Sequence, residues 1–202
     1  MKKSFIGPLT PDDVARIANV IRKGWIGVFP TDTVYGIGCR GDDARSTASL
    51  FRIKGRRLDR TLPLLIGDWV QFDRFAGAVG RKHRARLEKL WPGALTAVVR
   101  GGEQVNSLSF HCQKEGTVAL RMPAHPTLRL IVSQVGVPLA ATSANPSGGR
   151  EALNLSMVSP AIREQADWLW SEEIKMNGAL PSTIVDITGT KPEVLRRGTV
   201  EF

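Results

Sequence analysis

The run Lys54-Gly55-Arg56-Arg57, with Arg60 three residues further on, places cations two residues apart on either side of a glycine. Arginine offers a planar fork of N–H donors and lysine a compact point charge. Such a segment can hold several oxygens of a polyphosphate and offset the charge that grows in phosphoryl or nucleotidyl transfer. Cations near a helix C-terminus also complement the macrodipole, which accounts for the same residues without any ligand. A second cluster, Thr142-Ser143-Ala144-Asn145-Pro146-Ser147-Gly148-Gly149, follows the apolar run VPLAA. Its hydroxyls, amide and loop N–H groups suit an anion or a hydroxylated ligand, although an ordinary turn has the same composition. In a third cluster, Thr31 and Thr33 flank Asp32 and could orient an amino acid, or equally build a hydroxyl-capped turn. None of the three pairs a nucleophile with a base, because His83, His111 and His125 all lie outside them. Covalent catalysis therefore has little support. The phosphate-loop pattern GxxxxGK does not occur.

These clusters need elements to position them, and the apolar pattern supplies an alternation of helix and strand. Thr10 caps a predicted helix that begins with Pro11, buries Val14, Ile17, Ala18 and Ile21, and ends near Gly24. Further helices are predicted over Thr47 to Lys54 and, after His125-Pro126, over Thr127 to Val135. The basic run Arg81 to Lys89 reads as a solvated helix whose buried side is Leu87 and Leu90. Strands are predicted at Trp25 to Pro30, Leu62 to Ile66, Leu95 to Val99, Thr117 to Arg121, Pro138 to Thr142 and Thr183 to Ile187. Dense Gly and Pro at WPG, GVP, NPSGG and NGALPS mark long loops over the sheet. The expectation is an α/β fold on a mixed, twisted sheet, without repeats or an evident domain boundary.

The chain has 202 residues, of which 42% are hydrophobic, enough for one sizeable core. The first ten residues lack the apolar run of a signal peptide, and no window approaches the roughly 18 apolar residues of a membrane span. A soluble, cytoplasmic protein is the expectation. Cys39 and Cys112 are too few for a disulfide framework and read as reduced thiols. The balance of 28 basic and 19 acidic residues, +9, favours anionic partners such as nucleotides, tRNA or acidic protein surfaces, without choosing among them.

Taken in order, PTDTVYG, KGR with a basic residue four positions on, WPGALT, TVALRMPAHP, PLAATSANPSGG and PSTIVDITG with a closing VLRRG resemble the YrdC/Sua5 family of threonylcarbamoyl-AMP synthases. The resemblance runs from about Val14 to Gly198 and is to the short, single-domain form, which makes residues 1–202 one YrdC-like domain without the extra C-terminal Sua5 domain. It implies a twisted mixed sheet with flanking helices around a deep basic cavity. The implied reaction takes L-threonine, bicarbonate and ATP, with Mg2+ accompanying the nucleotide, to threonylcarbamoyl-AMP and pyrophosphate. A separate transferase then uses the product to make N6-threonylcarbamoyladenosine in tRNA.

By the same resemblance, Lys54 and Arg56 are catalytic and bind the ATP phosphates, and Arg60, Thr117, Asn145 and Arg196 complete the nucleotide site. Thr31, Thr33, Arg121, Ser143 and Ser182 match the threonine site, with Arg121 the partner for the carboxylate. No resident metal site is expected. The chain departs from the family pattern at Arg57, at Arg60-Thr61-Leu62, at Leu65 where a histidine is common, and in the loop after Ser147, where Arg150 receives no role. Two alternatives stay open at this point: a protein of the same fold that binds RNA or tRNA without chemistry, and a related module that starts from carbamoyl phosphate.

Overall fold

The computed structural model describes residues 2–55, 57, 60–173 and 180–202. Arg56 lies outside the described residues. Eleven described strands form one sheet: β1 (Lys3–Ile6), β2 (Gly27–Phe29), β3 (Gly36–Arg40), β4 (Leu64–Leu65), β5 (Leu95–Arg100), β6 (Gln113–Lys114), β7 (Thr117–Arg121), β8 (Leu139–Ser143), β9 (Trp168–Ser171), β10 (Thr183–Asp186) and β11 (Glu193–Arg196). Their order is β1-β9-β2-β3-β8-β4-β7-β5-β10-β11, with β6 paired to β7. The sheet is mixed: β9 runs parallel to both β1 and β2, β4 to β7 and β10 to β5, whereas β3 and β8 are antiparallel. Six α-helices flank it: α1 (Pro11–Arg22), α2 (Ala44–Lys54), α3 (Trp69–Phe75), α4 (Arg81–Leu90), α5 (Pro126–Val135) and α6 (Pro160–Gln165).

The expected α/β architecture is present. Helix α1 starts where its signals place it, with a capping box between Thr10 and Asp13 and with Val14, Ile17, Ala18 and Ile21 buried. Helix α5 takes Pro126 as its first residue, and His125 caps it by accepting the Leu128 N–H at Nδ1. Helix α2 begins three residues before the expected Thr47, because the Asp43 carboxylate accepts the N–H groups of Arg45 and Ser46. In α4, Leu87 is fully buried and Leu90 only half so. The expected strand over Leu62 to Ile66 narrows to a two-residue pairing at Leu64–Leu65.

Adjacent strand residues feed two cores on opposite faces of the sheet, as a period of two requires. Val28, Leu64 and Ala140 pack with Leu50 and Phe51 of α2, Phe72 and Phe75 of α3 and Ile162 of α6. Their chain neighbours Phe29, Leu65 and Leu139 point the other way, toward Ile17 and Ile21 of α1, Leu128 and Ile131 of α5, and Trp168 and Trp170 of β9. Both cysteines are buried free thiols, and burial pushes the Cys112 thiol up to about 12. No helix among the described residues is long and apolar enough to cross a membrane.

Candidate functional site

The face that α1 and α5 cover at β2 and β9 continues, further along the sheet, as the floor of a cavity of about 710 Å³. The register explains which side chains reach it. Gly36 opposes Ser143, Leu65 opposes Arg121, Val98 opposes Ala119, and Thr96 opposes Ile184, and all eight line the cavity. Small side chains at Gly36, Ala119 and Ala141 leave room above the sheet for a ligand. Five cations, Lys54, Arg57, Arg60, Arg121 and Arg196, line the cavity with one acid, Glu151, among the described residues.

One wall is made where the C-terminus of α2 meets the end of β8. Helix α2 stops at Gly55, whose φ of 58° is the left-handed conformation that glycine adopts without strain. The last helical residue, Lys54, is buried, and its ammonium donates to the Ser143 carbonyl at 2.6 Å, to the Asn145 carbonyl, and to Asn145 Oδ1 at 3.1 Å. The Ser143 hydroxyl donates to the same Oδ1 at 2.5 Å, and the Asn145 amide donates to the Gly149 carbonyl at 2.5 Å. Returning the contact, the Ser147 N–H donates to the Lys54 carbonyl at 3.3 Å. Lys54 thus organises the SANPSGG turn and brings a positive charge to the cavity wall.

The opposite wall is built on Arg121, at the end of β7. Its Nε donates to the Gly93 carbonyl at 3.1 Å, one terminal nitrogen to Thr33 Oγ1 at 3.0 Å, and the other to Asp32 Oδ1 at 2.7 Å. Burial pushes the Arg121 pKa down, and the Asp32 charge opposes that shift. Thr31 does the turn-building work that its position allows: its hydroxyl accepts the N–H groups of Thr33 and Val34 and donates to the Val34 carbonyl. Ser182 sits beside Thr96, with the two hydroxyl oxygens 2.8 Å apart. Arg196 donates through Nε and Nη2 to the Ser182 carbonyl, at 3.1 and 2.8 Å.

Nine of the eleven site residues singled out from the sequence therefore line one cavity: Thr31, Thr33, Lys54, Arg60, Arg121, Ser143, Asn145, Ser182 and Arg196. Arg56 lies outside the described residues. Thr117 does not line the cavity; it starts β7 opposite Arg100, about 13 Å along the strand from Arg121, and its hydroxyl donates to the Lys114 carbonyl. Sequence reasoning passed over Thr96 and Glu151. Thr96 could have been found from strand alternation within WPGALT, whereas Glu151 sits in an irregular loop that has no periodicity to read.

The Sua5/YciO/YrdC family model, described as telomere recombination, matches residues 19–198. A Mycobacterium tuberculosis protein is 34% identical over 93% of this chain and 84% of its own length. The threonylcarbamoyl-AMP synthase of Chromohalobacter salexigens is 32% identical over 93% of this chain and 98% of its own. Among solved structures, P. abyssi Sua5 complexed with L-threonine superposes with a TM-score of 0.88 at 28% identity. That superposition covers 98% of this chain, which spans 57% of the length of the P. abyssi protein. With its matched residues extending over nearly the whole of the sheet and both walls of the cavity, the chain belongs to the Sua5/YciO/YrdC family.

Proposed function

We propose that the protein joins L-threonine, bicarbonate and ATP into threonylcarbamoyl-AMP, releasing pyrophosphate. The observation that carries this reading is the meeting, in one cavity, of the Lys54–Ser143–Asn145 wall with the Thr33–Arg121–Ser182 wall. The first wall has the charge and N–H donors that an anionic nucleotide tail requires, and the second has the cation and hydroxyls that a hydroxylated amino acid requires. Sequence relatives named for this reaction and the threonine complex of P. abyssi Sua5 support it.

Two condensations are needed. The α-ammonium of threonine gives up a proton, and the resulting amine joins bicarbonate with loss of water to give a carbamate. A carbamate oxygen then attacks the α-phosphorus of ATP, and the bond from that phosphorus to the bridging oxygen of the leaving pyrophosphate breaks. Carbamate decomposes in water, so the main contribution of the protein is to hold the three reactants together in a walled cavity. Lys54, Arg57 and Arg60, together with Arg56 from the same segment, would offset the charge that accumulates on pyrophosphate. Mg2+ would accompany ATP as part of the substrate. The product would pass to a tRNA-modifying transferase in the cytoplasm.

The test is pyrophosphate release by the purified protein with ATP, Mg2+ and bicarbonate, with and without L-threonine. Threonine-dependent release is expected. ATP binding with no release at any threonine concentration would overturn the reading and leave a binding protein of the same fold.

A further inference from the structure

Glu151 is the one acid among the described residues that lines the cavity, and the reaction as set out above gives it no task. Its place is fixed by its neighbour: Ala152, buried, accepts the Tyr35 N–H at its carbonyl at 2.7 Å. The Tyr35 carbonyl in turn accepts the Ala144 N–H at 2.7 Å, so Glu151 stands where the segment Thr33 to Gly36 meets the end of the SANPSGG turn, within electrostatic reach of Arg196. One carboxylate oxygen, Oε2, is shut off from solvent and has no hydrogen-bond partner among the described residues. The nearby cations donate elsewhere, Arg121 to Asp32, Thr33 and Gly93, and Arg196 to Ser182. Among the described residues Glu151 forms no ion pair, although its charge acts on Arg196.

A buried carboxylate oxygen without a donor is in an unfavourable state that an incoming cationic donor relieves. Of the three substrates, ATP and bicarbonate are anions, which Glu151 repels. Mg2+ arrives chelated by the ATP phosphates, and only the amino acid brings a cationic hydrogen-bond donor. We propose that Glu151 receives the α-ammonium group of the amino-acid substrate, while the guanidinium groups of Arg121 and Arg196 supply the complementary charge for its carboxylate. The assignment rests on the synthase reading and makes Glu151 a specificity residue: it selects a zwitterion over a plain hydroxy acid.

Glu151→Gln keeps the volume and removes the charge. Its KM for L-threonine is expected to rise on the order of tenfold to a hundredfold, the worth of a hydrogen bond to a charged group, with the KM for ATP unchanged or lower. Competition by the des-amino analogue of threonine should be the same in both proteins, and Glu151→Asp should fall between them. An unchanged threonine KM, or a loss that falls instead on ATP or on the Mg2+ requirement, would overturn the proposal. If the unaltered protein forms no product at all, the synthase reading fails by itself. Calorimetric titration with L-threonine then still decides the Glu151 assignment: binding weakened in Glu151→Gln supports it, and equal or absent binding in the unaltered protein sinks it.

Discussion

Arg121 donates in three directions at once, and its pairing with Asp32 is the most consequential contact in the site that sequence reasoning did not draw. Asp32 has no role of its own in the sequence motif beyond lying between two hydroxyls; the structure sets its carboxylate 2.7 Å from the buried guanidinium. Removing one partner of such a pair strands the other. Asp32→Ala should therefore lower stability by about 3–5 kcal/mol in urea or guanidinium unfolding, far more than an exposed aspartate would. Lys54→Met removes the ammonium that fixes the SANPSGG turn, and pyrophosphate release should fall by about 10²–10³-fold while circular dichroism shows the helices retained. His125 gives a pH prediction. Burial pushes its pKa below the ordinary 6.5, with the Asp32 charge opposing, so the unfolded chain takes the proton first. Its contribution to stability is therefore intact above about pH 6.5 and is lost as the pH falls below that value. Burial pushes the Glu172 carboxyl, 4.0 Å from His125 Nε2, upward, and its effect has the opposite sign above about pH 4.5. Between pH 7 and pH 5 the unaltered protein should lose more thermal stability than His125→Asn, which keeps an acceptor for the α5 cap.

At the scale of elements, helices with a strong apolar period and a cap, α1 and α5, were legible to within a residue or two. The strands that escaped were those whose composition hides their role. Strand β3 carries two glycines in GIGCR, which ordinarily weaken a strand, but a side chain at Gly38 would meet the Ala140 carbonyl at 2.5 Å. Strand β9, WLWS, is too short to show a period, and its partners β1 and β2 are more than a hundred residues away in the chain. Gly27 shows how closely these strands fit: a Cβ there would lie 1.8 Å from the Trp168 ring, which stacks on Phe29 at 5.9 Å between centroids. Gly27→Ala should cost at least the roughly 1–3 kcal/mol of an overpacked core, read as a lowered unfolding midpoint, while Gly55→Ala, in open space but at positive φ, should cost only about 1 kcal/mol.

For the whole molecule, the cavity was the feature least visible in the sequence, because it is assembled from six segments distant in the chain. Residues 31–36, 54, 57, 60–65, 96–98, 119–121, 141–151 and 181–196 meet only once the sheet order β3-β8-β4-β7-β5-β10-β11 is known. Composition alone could give the excess of positive charge and not its placement; nine residues of the family-ordered motifs line the cavity, and Thr117, from the same motifs, does not. The central claim is that this basic cavity makes a mixed anhydride from three small reactants. The most direct measurement is mass detection of the adenylate formed from ATP, L-threonine and isotopically labelled bicarbonate. Threonylcarbamoyl-AMP carrying the bicarbonate carbon is expected, in amounts matching the pyrophosphate released. Pyrophosphate release that yields an adenylate without that carbon, or that proceeds equally without threonine, would contradict it.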